Sequence, residues 1–565
     1  MHRAPIRAFC PSTLAPIPLL LLCACGGAGT PESAVAPAST SPAITAADLR
    51  TRLYTFADDS MQGRRSGTQG NVKGTEWIAA EARRIGLEPA GEDGGWFQTV
   101  PILSRTLDPA TALTVEGQTF KAWADILPRD QGTGARSLDG VRAIYAGTWN
   151  GQLITSEQAA GKLVVVTFPP VNGVPAGSVN RAQTTQRFST AAGIVVATLD
   201  AVGHAERIDL QDTGAQLPGG SSHAGPETPT FLYGTTRLAE ALLGGPLAGM
   251  QPGTEGRTVS GTIRFVDTPA EYPARNVVAI LRGSDPALRG QMVAIGAHND
   301  HDGIFPEALD HDSLRAFNRL MRPEGANSTP GTPTAEQAAR IRAILDSLRR
   351  ERKPRPDSVL NGADDDGSGS VAVLEIAEAL AKGPERPKRS ILFVWHTAEE
   401  MGLLGAKYFT RHPTVPRDSI IAQLNVDMIG RGTATDRPSG GPAYLQMIGS
   451  RRLSTELGDL IDRVNAAGGH GLRFDYSYDA DGHPDNYYCR SDHYMYARFG
   501  IPIAFFTTGS HLDYHQLTDE PQYIDYDKMA RVASLIGDVT RTVADLDHRL
   551  VVDKPKPDPD GVCKQ

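Results

Sequence analysis

Two stretches decide the fold: Met292-Val293-Ala294-Ile295-Gly296-Ala297-His298-Asn299-Asp300-His301-Asp302-Gly303 and Ile391-Leu392-Phe393-Val394-Trp395-His396-Thr397-Ala398-Glu399-Glu400-Met401-Gly402. In each, a short apolar run gives way abruptly to histidine and carboxylates. Apolar runs of this length read as buried strands. Three further segments follow the same plan: Val277 to Leu281, the acid-bearing Leu424-Asn425-Val426-Asp427-Met428-Ile429-Gly430, and Ile501 to Phe506 leading into Ser510-His511-Leu512-Asp513-Tyr514-His515-Gln516. A helix from Val371 to Leu380 and another after Glu400 fall between them. Strand, loop and helix in alternation imply an α/β sheet covered by helices. In such sheets ligands bind beyond the strand ends, where these histidines and acids lie.

Working outward, Thr45 can cap a helix running through Phe56, and Asn71 to Arg84 carries apolar residues near a helical period, stopped by Gly86. Residues 135–262 change character: short β-rich runs (Val141 to Tyr145, Leu163 to Phe168, Gly193 to Ala197, Thr230 to Tyr233) alternate with Gly/Pro turns and read as a separate module. The peptide between His298 and the acidic loop Asn361-Gly362-Ala363-Asp364-Asp365-Asp366-Gly367-Ser368-Gly369 is long, and residues 303–360 read as a loop insertion with a helix from about Thr334 to Lys353. Such an insertion is expected as a solvated decoration, with a lid over the site as the alternative. Residues 551–565, alternating Pro with charges, are expected to be disordered.

The composition bounds the class. The 565 residues are too many for one core and, with 40% apolar and 21% charged residues, describe a globular multidomain chain. A net charge of −9 offers no basic surface, so nucleic acid is excluded as a partner. HExxH, GxSxG, GxGxxG and GxxxxGK are all missing, which removes zincin, serine-hydrolase and nucleotide-binding readings. What remains is the set of acids and histidines at the strand ends. Each alone has an ordinary structural explanation; together, carboxylates converging at sheet ends repel one another unless a cation neutralises them. The three acids of the 361–369 loop supply either a bridging carboxylate or a charge cluster at a helix N-terminus.

The order HxD, GADDDGSG, AEEMGLLGAKYF, NVDMIG and DYHQLTDE resembles the M28 family of co-catalytic zinc aminopeptidases across residues 275–530. Met61-Gln62-Gly63-Arg64-Arg65-Ser66-Gly67-Thr68 looks like that family's opening segment, and the β-rich module resembles a protease-associated (PA) domain at Ala160 to Val166 and Ala192 to Val195. The resemblance implies a zinc-exopeptidase-like mixed β-sheet flanked by helices, with an N-terminal part at 45–134, an inserted PA-like domain at 135–262 and a catalytic domain at 263–550. Position by position, it implies two zinc ions: His298 and Asp427 on one, Glu400 and His515 on the other, and Asp365 bridging both, with Asp364 and Asp366 as competitors for the bridge. Asp300 becomes the orienter of His298, Glu399 the general base and Tyr514 an oxyanion donor. The activity implied is removal of N-terminal residues from peptides with a free N-terminus. A carboxypeptidase or dipeptidase of the same family is the alternative, a single-zinc pyroglutamate-forming branch is disfavoured by the full ligand set, and a metal-free binding protein of the same fold stands last.

The N-terminus adds a compartment. Arg3 and Arg7, an apolar run from Leu14 to Leu22, and Leu22-Cys23-Ala24-Cys25-Gly26 match a secretory signal over residues 1–24 that ends in a lipobox-like sequence. Cys25 would carry the lipid, and residues 25–44 would form a flexible tether. The chain is therefore expected to be exported to the cell envelope and membrane-held through that lipid, with a preference for the outer membrane, facing periplasm or exterior. Only Cys489 and Cys563 lie downstream, and whether they pair stays open at this point.

Overall fold

The computed structural model describes residues 40–129, 135–149, 151–168, 181–201, 214–219, 229–328 and 330–565. The signal segment, Cys25 and most of the tether lie outside the described residues. Among the described residues, no helix is long and apolar enough to cross a membrane.

A nine-stranded mixed sheet organises the peptide after residue 270 together with the N-terminal segment. Its strands are β1 (Glu88–Pro89), β2 (Phe97–Val100), β3 (Ala274–Leu281), β4 (Met292–His298), β5 (Ser390–His396), β6 (Ile420–Val426), β7 (Tyr444–Ile448), β8 (Arg473–Asp475) and β9 (Ile503–Thr507), in the spatial order β1-β3-β5-β4-β6-β9-β7-β8, with β2 also on β3. The four central strands β5, β4, β6 and β9 run parallel, in a register that sets His298 beside His396. Their carboxyl ends therefore meet at one edge of the sheet. From β4 the chain passes to β5 on one side and then returns to β6 on the other, so the direction of winding reverses at β4. That reversal opens a crevice beyond the strand ends.

Both faces of these strands are apolar, as the continuous hydrophobic runs require. Val293, Ile295, Ala297, Phe393 and Trp395 enter one buried cluster with the helices Gly369–Lys382 and Tyr526–Asp545; the alternate residues Met292, Ala294, Leu392 and Val394 enter another with Leu404–Arg411 and His493–Ala497. Fully burying a side chain such as Phe393 stabilises the fold by roughly 1.5–3 kcal/mol. The N-terminal helices lie where the periodicity puts them, Ala46–Phe56 capped by Thr45 and Gln69–Ile85 ended by Gly86 at φ 93°. Arg52 of the first helix is fully buried and pairs with Glu81, Glu375 and Glu378, tying both N-terminal helices to Gly369–Lys382.

Three expectations need correction. The β-rich module does not begin at residue 135 or end at 262. Its eleven-stranded sheet takes in Leu103–Leu107, Ala112–Val115, Gln118–Lys121 and Ile126–Pro128 and ends with the long strand Glu255–Pro269, so it occupies 103–269. These early strands have three to five residues each, too short for a periodicity to stand out.

The insertion is only half a decoration. Its strands Gly303–Asp310 and Pro356–Leu360 pair as a ribbon, and the helix Ala335–Glu351 buries no residue. The helix His311–Met321, by contrast, reaches the 510–516 loop through Arg315 to Asp513 at 2.7 Å and Asn318 to Gln516 at 3.3 Å.

Nor is the tail 551–565 disordered. Cys563 is joined to Cys489, the Asp553 N–H donates to the Leu453 carbonyl, and the Gly482 N–H donates to the Gln565 carbonyl. Composition favoured disorder because it does not register a covalent tie.

Candidate metal centre

The carboxyl edge of the parallel strands gathers the acids and histidines predicted from the sequence. His298 ends β4, Glu399 and Glu400 follow β5, Asp427 follows β6, and Tyr514 and His515 lie on the loop after β9. Asp365 reaches the same point from the turn preceding Gly369–Lys382. Its Oδ1 is 3.1 Å from His298 Nε2 and its Oδ2 is 3.0 Å from His515 Nε2. Each imidazole has a second acid at hand: Asp427 Oδ1 lies 3.7 Å from His298 Nε2, and Glu400 Oε2 lies 3.2 Å from His515 Nε2.

Of the three consecutive aspartates, the geometry sets Asp365 between the histidines. Asp366 is occupied by backbone, accepting from the N–H groups of His298 (3.1 Å), Gly369 (2.8 Å) and Met428 (3.2 Å). Asp364 accepts from the Gly430 N–H at 2.6 Å and faces His511. Gly362, at φ 53°, permits the turn: a Cβ there would lie 2.2 Å from the Asp365 carbonyl oxygen and 2.5 Å from the His301 ring.

Asp300 touches both halves of the site. His298 Nδ1 lies 3.1 Å from its carbonyl oxygen and 3.7 Å from its carboxylate, while that carboxylate accepts the Glu399 N–H at 3.1 Å. Two neighbours escaped the sequence reading: His301 Nδ1 is 2.7 Å from Glu400 Oε1, and Asp302 Oδ2 is 2.8 Å from His515 Nδ1. Three groupings consequently bring N and O ligand atoms within 4.8 Å of one another: His298 with Asp365 and Asp427, His301 with Asp365 and Glu400, and Asp302 with Glu400 and His515. The alternation His298-Asn299-Asp300-His301-Asp302 was the available signal for the extra pair.

A layer of polar contacts holds these groups. Ser491 Oγ donates to Asp427 Oδ2 at 2.8 Å and accepts from Asn425 Nδ2 at 2.8 Å. The Asp519 carboxylate accepts the N–H groups of Asp364 and Asp365. From the N-terminal segment, Arg64 donates to the carbonyls of Asn361 and Gly362, Ser66 accepts the Ala398 N–H at 2.7 Å, and Asn71 donates to Asn299 at 2.8 Å. No periodicity marks such residues, because their partners are distant in sequence.

The electrostatics follow from burial among like charges. Burial lifts the Glu399 carboxyl well above its ordinary range, and Glu400, Asp492 and Asp427 add to the effect against the opposing pull of His298. Burial likewise lifts Asp300 to about 7. For His298, burial disfavours the imidazolium, but Glu399, Asp365 and Asp427 outweigh it and the pKa rises well above normal. Asp427 Oδ1 and His515 Nε2 are buried with no hydrogen-bond partner among the described residues. Orphaned lone pairs and carboxylates converging on one point suit a borderline divalent cation with N and O ligands, such as zinc.

Residues 276–540 match the model of peptidase family M28. Leupeptin-inactivating enzyme 1 of Streptomyces exfoliatus is 32% identical over 264 residues, covering 45% of this chain and 53% of that protein. Leucine aminopeptidase 1 of Aspergillus fumigatus is 28% identical over 187 residues, covering 31% and 44%. The matched region thus spans about half the length of these relatives. Among solved structures, an aminopeptidase from Aneurinibacillus sp. strain AM-1 is similar at a TM-score of 0.49 and 15% identity, covering 91% of this chain and 97% of that one. A zinc aminopeptidase from Bacillus subtilis is similar at 0.47 and 15%, covering 88% and 95%.

Proposed function

We propose that the chain is a zinc aminopeptidase with two cation positions, one among His298, Asp365 and Asp427 and the other among Asp365, Glu400 and His515. The observation that carries this reading is Asp365, whose two oxygens face two different histidines, each accompanied by a further acid. Zinc bound there supplies a Lewis acid that polarises the scissile carbonyl and lowers the pKa of water toward neutrality.

The remaining work belongs to side chains. Glu399, buried at the cavity wall with its backbone N–H fixed by Asp300, takes the proton of the attacking water and returns it to the leaving amine. Tyr514, on the same wall, donates to the oxyanion. Acids lining the cavity offer a place for the substrate's free α-amine. The 103–269 module is assigned the role of a PA-like domain beside this catalytic unit.

The same reading places the protein in the cell envelope, anchored through Cys25 and facing periplasm or exterior. Support comes from the Cys489–Cys563 disulfide, which belongs to an oxidising compartment.

Glu399→Ala tests the chemistry: the variant retains both zinc ions by metal analysis and loses turnover by at least about 10²–10⁴-fold. Unchanged turnover rejects the base assignment. A panel of aminoacyl-4-nitroanilides, N-acetylated analogues and C-blocked dipeptides, with and without chelator, tests the specificity. Cleavage of the N-acetylated substrates rejects aminopeptidase action.

A further inference from the structure

We propose that Arg490 is a positioning residue for Tyr514, fixing the direction in which the phenol donates its proton; the inference rests on the peptidase reading above. Arg490 Nη2 lies 3.1 Å from Tyr514 Oη. A guanidinium has donors only, so in this contact the phenol oxygen is the acceptor. The phenolic proton must then point elsewhere, and no described residue takes it as a hydrogen-bond acceptor. Both side chains line the cavity that holds His298, Glu399 and Asp427. With one lone pair committed to Arg490, the O–H is left to swing toward that cavity, where the oxyanion develops. Donation from a cation also polarises the phenol and makes it the stronger donor.

Arg490 is itself held. Its Nη2 lies 3.4 Å from Asn327 Oδ1, its Nη1 is 3.4 Å from the Asp485 carbonyl, and its guanidinium is 5.4 Å from the Tyr487 ring centroid. Asn327 Nδ2 and the Tyr487 hydroxyl converge on Ser510 Oγ at 2.7 and 2.9 Å. No carboxylate comes within ion-pair distance of Arg490 among the described residues, so its charge is not spent on a neighbouring acid. Asn327 belongs to the 303–360 insertion, so the segment that departs from the family's spacing supplies one of the braces.

The test is a double-mutant cycle on the zinc-loaded full chain, reading kcat and KM for an aminoacyl-4-nitroanilide. Tyr514→Phe is expected to lower kcat by about 10²–10³-fold, the range for loss of an oxyanion donor. Arg490→Met is expected to lower kcat by about tenfold, with KM within about threefold, when Tyr514 is present. In the Tyr514→Phe background the same change is expected to cost less than about twofold, and Arg490→Lys to recover part of the loss. Equal losses in the two backgrounds, or an effect confined to KM, overturn the inference while leaving the peptidase reading intact. A parent that cleaves no peptide overturns both. Should Arg490→Met lose its near-UV spectrum, Arg490→Gln, which keeps donors without charge, serves in the same cycle.

Discussion

Removing the Cys489–Cys563 disulfide is the perturbation whose size follows most directly from the fold. The bridge closes a loop of 74 residues, for which the chain-entropy relation gives about 4 kcal/mol of stabilisation. Within that loop lie β9, the Tyr514–His515 loop and the helix Tyr526–Asp545. With a guanidinium slope of roughly 4–8 kcal/mol per molar, the loss lowers the unfolding midpoint by about 0.5–1 M. The assay compares the parent, the parent under reductant, and Cys489→Ser/Cys563→Ser in guanidinium titrations followed by far-UV circular dichroism. Reductant is expected to move the parent to the position of the double variant and to leave the double variant where it is. Cys489 immediately precedes Arg490, and the Tyr488 N–H donates to Gln565 Oε1, so the released tail also loosens the cavity wall carrying Tyr487 and Arg490. A double variant whose midpoint stays within about 0.1 M of the parent refutes the view that the tail is a structural tie.

Arg52→Leu leaves Glu375 buried without its cation and Glu81 and Glu378 with Arg84 as the remaining one, and is expected to cost about 3–5 kcal/mol in a denaturant titration; a loss below about 1 kcal/mol would show that Glu375 reaches water. Burial alone would raise Glu378, but hydrogen bonds from Arg84, Thr40 and Arg52 outweigh it and hold the carboxyl at about 2, against 4.5 ordinarily. Because the folded pKa is depressed, this stabilisation is present above about pH 4.5 and is lost as pH falls toward 2, so Glu378→Gln is expected to flatten the acid limb of stability against pH; an equally steep limb contradicts the assignment. Ser491→Ala removes the donor that fixes Asp427 and is expected to weaken zinc affinity by about 10–100-fold in competition with a chelator, with the guanidinium midpoint little changed.

The strands β3, β4, β5, β6 and β9 are legible because each is buried on both faces and so is written as an unbroken apolar run, a signal that survives without any partner in view. The strands between 103 and 128 carry no such mark. Gln118–Lys121 buries only Phe120, and Leu103–Leu107 buries only Arg105 and Leu107, so neither resembles a core strand until the long Glu255–Pro269 strand and its neighbours supply the other half of the contacts. The module boundary at 135 therefore falls where the sequence becomes recognisably apolar, some thirty residues after the sheet begins. The tail fails for a related reason. Pro and charge in alternation cannot form a core, yet a chain can be ordered by attachment, through one disulfide and a few backbone hydrogen bonds to the 477–491 region.

The site divides along the same physical line. Residues whose chemistry is unusual for their local surroundings announce themselves: Asp427 after an apolar strand, the pair Glu399-Glu400 at a strand end, three acids in a glycine-rich turn. Residues that hold them do not. Ser491, Asn71, Ser66 and Arg64 are ordinary polar side chains at ordinary positions, and their importance lies in contacts across more than 60 residues of sequence. Choosing among Asp364, Asp365 and Asp366 shows the difference. The sequence offers three equivalent carboxylates, and only the accounting of backbone N–H groups distinguishes them, because Asp366 accepts three and Asp364 one while Asp365 has the two histidines. Arg490 is the extreme case. Nothing local separates it from a surface arginine, and its meaning depends on the single fact that a guanidinium cannot accept a hydrogen bond, so whatever it touches must send its own proton somewhere else.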